Sequence, residues 1–229
     1  MSKHLLQDLD FLQKEIINIA SMAEQATSKA LLALLNRRVK LAKEVIDEDE
    51  IIDRKEVQIE EECLKVLALH QPVATDLRFI IAVIKVNNDL ERIGDLAVNI
   101  AERATYLARH DPLQISLDFP EMADAVSKML HRSLDALAKA DIVLAREVLA
   151  MDDAVDAANR TAFVRLQELM YKNPETIKRA VHLMSVSRHL ERIGDLATNI
   201  AEEVVYMVEG EIIRHADSFH HAEDYGDEE

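Results

Sequence analysis

Eight acidic residues of this chain fall into four pairs of identical spacing: Asp49 with Asp53, Glu91 with Asp95, Asp152 with Asp156, and Glu191 with Asp195. On a helix, residues four apart project about 40° from each other, so each pair stacks two carboxylates one turn apart on one face. Carboxylates held that close repel, and burying even one without a partner costs several kcal/mol. Two arrangements relieve the repulsion: salt bridges to Arg or Lys of a neighbouring helix, or a multivalent cation shared between the pairs. An oxygen-only ligand set suits hard or borderline ions, which leaves iron, zinc, manganese and magnesium as candidates. Helical di-iron sites use Glu together with Glu-x-x-His. No His falls inside these ladders, which disfavours a redox-active oxygenase centre.

The pairs recur because the chain is duplicated. The segment Glu91–Glu102, ERIGDLAVNIAE, returns one hundred positions later as ERIGDLATNIAE at Glu191–Glu202, with Thr198 standing where the first copy has Val98. Agreement of that length does not arise from composition. Asn99 and Glu102 continue the stripe of Glu91 and Asp95, while Leu90, Ile93, Ala97, Ile100 and Ala104 form the opposite, apolar stripe. One such helix is an ordinary solvated surface element. A second acidic ladder in each half changes that weighting, since Asp152 and Asp156 project onto the same side as Val148, Phe163, Leu166 and Met170. Gly94 and Gly194 are half of the chain's four glycines. Each lies mid-helix, where Gly costs about 1 kcal/mol relative to Ala, and this predicts close approach of another helix or of a bound group at that turn.

Long helices must carry these residues. With four Gly, four Pro, no Trp and 49% hydrophobic residues in 229, the composition predicts an all-α protein with an ample core. Pro72 and Pro174 each precede a segment bearing the repeated motif, as Pro does in a first helical turn. Pro112 and Pro120 bracket the one plausible linker. Helices are expected at 4–36, 39–70, 73–109, 120–138, 141–172 and 174–209, giving two pseudo-symmetric three-helix bundles. The halves are 1–110 and 120–210, joined by a linker at 111–119 and followed by an acidic, His-containing tail at 211–229. His220 and His221 with Asp217 are weak metal candidates there, and a solvated tail is the better expectation.

Forty-three Asp and Glu against 27 Lys and Arg give a formal charge of −16. Nucleic-acid binding rests on cationic side chains displacing counterions, so direct nucleic-acid contact is not expected. Cations or basic protein surfaces are the expected partners. Neither a signal-peptide core nor a membrane-length apolar run is present in the sequence, which predicts a cytoplasmic protein that meets a membrane only through partners. The single cysteine, Cys63, lies beside Ile59 and Leu67 on an apolar face and is expected to be a buried structural thiol.

From about residue 5 to 209 the sequence resembles the PhoU family of phosphate-uptake regulators. The resemblance rests on the four E/D-x-x-x-D pairs, the stretch EEECLKVLALHQPVATDLR at 60–78 and the two ERIGD segments. It implies two pseudo-symmetric three-helix bundles, metal clusters at the E/D-x-x-x-D positions and no catalytic activity. It further implies a role in shutting down the phosphate regulon and moderating uptake, with the ATPase subunit of the phosphate ABC transporter and the phosphate-sensing histidine kinase as partners. A homodimer is also expected. Where many members carry His after the second ERIGD or ERIAD, this chain has Leu196, so that nitrogen ligand is missing.

Two other classes compete with a metal-binding regulatory adaptor. A carboxylate-bridged metal enzyme is weakened by the lack of a convergent nucleophile or base, a Gly-rich phosphate loop or Glu-x-x-His in the ladders. A structural scaffold with salt-bridged ladders is kept open by Arg92 and Arg192, which flank the acids. Direct phosphate sensing is disfavoured, because an anion approaching four carboxylates is repelled unless metal reverses the local sign, and the signal is expected to arrive through a partner.

Overall fold

The computed structural model describes residues 3–115 and 119–213, and within them all regular structure is helical. Helices α1 (Lys3–Leu35), α2 (Val39–His70) and α3 (Ala74–Leu107) make one bundle, and α4 (Phe119–Lys139), α5 (Ile142–Leu149), α6 (Asp152–Lys172) and α7 (Ile177–Glu209) the other. The expected six helices are present, with one refinement. The helix expected over 141–172 is interrupted at Ala150–Met151, where the N–H groups bond back to Arg146 and Val148 in a tightened turn. Asp152 and Asp153 therefore occupy the first turn of α6, where the positive end of the helix dipole favours carboxylates. Pro174 opens a short 3₁₀ turn before α7, and Pro72 sits just outside α3, whose flanking residue is Val73.

The bundles share one core. α3 packs on both α1 and α2 and lies against α7, which in turn holds α4, α5 and α6, while α1 touches α4. Leu12, Ile16, Ile59, Ile80, Ile93, Ile100, Met129, Leu166 and Leu190 are fully buried; each such side chain contributes about 1.5–3 kcal/mol by leaving water. The apolar stripe of α3 is buried throughout, from Leu90 and Ile93 to Ala97, Ile100 and Ala104, so the acidic stripe is left at the outer edge of the core. Cys63 is buried as expected, and burial, followed by Glu62 and Glu60, pushes its thiol up to about 12. Among the described residues no helix is long and apolar enough to cross a membrane. The tail with Asp217, His220 and His221 lies outside the described residues.

Candidate metal centre

α2 runs antiparallel to α3, and α6 to α7, so each ladder meets its counterpart rung by rung. In the first half Asp49 lies by Gly94 and Asp95, while Glu56 lies by Asn87 two turns further along α2, where the Asn87 side chain donates to the Glu56 carbonyl at 2.8 Å. Asp53 and Glu91 fall between, each within electrostatic reach of the other. In the second half Asp152 lies by Gly194, and Ser187 donates to Asn159 Oδ1 at 2.7 Å two turns on. These Asn87 and Ser187 ties pin the ladder helices to α3 and α7 just beyond the acids. Neither tie was evident from the sequence, because a lone Asn or Ser on a helix carries no signal of its partner.

The glycines explain the close approach. A Cβ at Gly94 would stand 3.3 Å from Ile52 Cδ1 and 3.5 Å from Asp49 Oδ1, and one at Gly194 would stand 3.5 Å from Val155 Cγ1 and 3.8 Å from Asp152 Oδ1. Both glycines thus let a ladder aspartate lie almost against the opposing backbone. The helix-weakening residue buys proximity between the two acidic stripes.

That proximity raises the carboxyl pKa values. Burial, then Asp53 and Asp95, pushes Asp49 up to about 6. Glu91 is raised by burial, then by Asp95, Asp53 and Glu56, and Asp95 by burial and Asp53. In the second half Asp152 is raised by burial, then by Asp195, Asp156 and Asp153. Burial likewise raises Asp195, with Glu191 and Asp156 adding to it, and raises Glu191, with Asp156 adding to it. Each half therefore gathers its four sequence-identified acids into one electrostatically strained group. A fifth carboxylate, Glu56, joins the first group: burial, then Glu60 and Asp53, raises it. The corresponding position in the second half is Asn159.

Convergence differs between the halves. Ligand oxygens of Asp152, Asp156 and Asp195 all lie within 4.8 Å of one another, and Asp152 Oδ1 is buried without a hydrogen-bond partner. Among the described residues the first-half acids do not close to this degree. An orphaned carboxylate oxygen beside two more carboxylates fits a cation better than it fits any other occupant. The donor set is all oxygen, as hard ions require. Leu196, at the position where a His ligand was absent, is buried in the core instead. Asn99 donates its side-chain N–H to the Asp95 carbonyl at 2.8 Å.

Salt bridging of the ladders within the chain finds little support in this geometry. Arg92 pairs with Asp89 at 3.8 Å and reaches Glu91 only through space, as Arg188 and Arg192 reach Glu191 and Arg192 reaches Asp195. Asp156 pairs with Arg160 of its own helix at 3.3 Å, on a largely exposed surface where such a pair contributes about 0–1 kcal/mol. The other ladder acids have no ion pair among the described residues.

The family model described as PhoU domain matches twice, over residues 16–104 and 119–204, and the two matches contain all eight ladder acids. The chain belongs to the PhoU family. It is 40% identical to the phosphate-specific transport system accessory protein PhoU homolog of Aquifex aeolicus, over 92% of this chain and 96% of that protein. The homolog of the same description from Pseudomonas aeruginosa is 36% identical over 94% of this chain and 89% of its own length. The crystal structure of PhoU from Pseudomonas aeruginosa superposes with a TM-score of 0.87, covering 90% of this chain and 99% of that one at 36% identity. That of the phosphate transport system regulatory protein PhoU from Streptococcus pneumoniae gives 0.79 at 26% identity, over 91% and 98% of the two chains. These PhoU relatives are named as accessory and regulatory proteins, not as enzymes.

Proposed function

We propose that this PhoU chain is a cytoplasmic negative regulator of phosphate uptake and phosphate-regulon signalling. It acts as a metal-binding adaptor on the ATPase subunit of the phosphate ABC transporter and on the phosphate-sensing histidine kinase. The family assignment supports the regulatory role, since relatives covering nearly the whole chain are described as accessory proteins of phosphate-specific transport. The observation that carries the metal reading is the convergence of Asp152, Asp156 and Asp195 around a buried, unpartnered oxygen. Asp49, Asp53, Glu91 and Asp95 would hold a second group of ions, with Glu56 available to it, and Glu191 would complete the second-half set. A bound cation supplies positive charge, and the residues supply its placement: the ladders hold it at the bundle edge, where acidic surface becomes a rigid, charge-inverted contact point for a partner.

A strain lacking the protein should accumulate phosphate in rich medium, and native pull-downs should recover the transporter ATPase or the kinase. Chelation should weaken that capture. Normal phosphate content together with no recovery of either partner would remove support for the regulator reading.

A further inference from the structure

The duplication relates α3 to α7, so the seam where these two helices pack should look alike at its two ends. It does not. At one end Lys85 pairs with the buried Glu203 at 3.2 Å and lies 5.3 Å above the Tyr206 ring, with Asp89 beside Arg92. At the other end Ser185 stands for Lys85, Arg103 for Glu203, His189 for Asp89, Arg188 for Asn88 and Tyr106 for Tyr206. Counting positions 85, 88, 89, 92, 202 and 203, the first end carries two cations against three carboxylates. Their equivalents carry three cations against one carboxylate, with His189 neutral. In a chain of net charge −16 this is a local reversal of sign.

The reversed end is also lined with hydrogen-bonding groups. Tyr106 is stacked between His182, at 3.7 Å between ring centroids, and His110, at 4.2 Å. Ser185 Oγ lies 3.1 Å from His189 Nε2, and His189 Nδ1 is buried with no partner. Burial, then Arg103, Arg192 and Arg188, pushes His189 down to about 4, and burial, then Arg103 and His110, lowers His182. The positive potential therefore comes from guanidinium groups at neutral pH. Arg103 bonds Glu102, its sequence neighbour, at 3.3 Å on the outer surface, whereas the seam position that holds Glu203 at the other end has no carboxylate here. By helix geometry Ser185 and His189 lie about 120–160° around α7 from Glu191, while Arg188 and Arg192 lie about 60–100° from it, between that face and the acidic ladder and within electrostatic reach of Glu191.

We propose that this end of the α3–α7 seam, with Arg103, Ser185, Arg188, His189 and Arg192, binds a small multivalent oxyanion of the phosphate or sulfate type. Guanidinium groups recognise such anions through paired, charge-assisted hydrogen bonds, and a serine hydroxyl completes the set. The anion replaces the carboxylate that the duplicated end supplies from within the chain.

The test is a titration of chelator-treated full-length protein with inorganic phosphate and with sulfate at constant ionic strength, read by calorimetry and by the imidazole signals of His182 and His189. A saturable, single-site response is expected. The double variant R103E/S185K rebuilds the Lys85–Glu203 pair at this end and should weaken binding about tenfold or more, as loss of a charge-assisted contact does; R103Q gives the same readout should the double variant fail to fold. Unchanged affinity in R103E/S185K and R103Q, or a response no larger than chloride produces, would overturn the proposal.

Discussion

In the first half the ladder of Asp49, Asp53 and Glu56 runs along an unbroken α2, whereas in the second the chain turns at Ala150–Met151 and Asp152 begins a new helix. One motif, copied, has produced two different acidic groups. Glu56 adds to the four acids of the first group, whose Asp49 is driven up to about 6, while Asp153 adds to the repulsion on Asp152 in the second. The second has Asn159 at that rung, tied to Ser187, and its Asp152 gains the favourable field of a helix N-terminus. Three of its carboxylates close to within 4.8 Å. Residues outside the repeated motif therefore decide how tightly each copy closes.

The largest predicted effect separates the two groups by single substitutions. Asp195→Ala removes one of three convergent side chains and should reduce second-half metal affinity at least tenfold, the cost of losing a charged ligand. Asp95→Ala leaves four carboxylates in its group and should cost the first-half site less. Metal titration of both variants checks the order, and equal losses would mean that the two groups are equivalent.

Helix contact sharpens the same comparison. Gly94→Leu should destabilise by about 1–3 kcal/mol from overpacking against Ile52, more than the about 1 kcal/mol of helix propensity it gains. Gly194→Leu should cost less, because Val155 and Met129 Cε leave slightly more room there. A rise in melting temperature for Gly94→Leu would contradict the packing role.

A third expectation concerns pH in metal-free protein. Asp49 is raised from 3.8 to about 6, so the folded chain binds more protons than the unfolded chain between those values. Stability then falls as pH rises through that window and stays lower above it. The difference in melting temperature between wild type and Asp49→Asn should climb on acidification from pH 7 to 5 without metal, since the opposing contributions of His182 and His189 cancel in it, and an added divalent cation should flatten that difference by neutralising the same charges. A wild-type-minus-variant difference that falls on acidification would contradict the assignment.

The smallest effect tests the ties beyond the ladders. Ser187→Ala leaves Asn159 without its bond and should cost about 1 kcal/mol, measurable by denaturant unfolding. Asn87→Ala should cost less, since the Glu56 carbonyl is already inside a helix.

The helices and the acidic stripes were legible because both are written in periodicity: the apolar set of Leu90, Ile93, Ala97 and Ile100 is buried as its spacing predicts. The glycines were legible as points of close approach, since nothing local justifies them. The break at Ala150–Met151 was not, because neither residue is a helix breaker and the turn is set by how α5 and α6 pack on α7. Glu56 was also missed. Its place in the first group depends on the α2–α3 register, which no single-helix pattern contains, and its counterpart Asn159 broke the symmetry by which the other acids were found.

The central claim is that both acidic groups hold multivalent cations. Elemental analysis of full-length protein, purified without chelators or a polyhistidine tag and compared with D95A/D195A of matching helicity, tests it most directly. Multivalent metal is expected in the wild type and its loss in the double variant. Metal-free wild type, or the same metal content in both proteins, would contradict it.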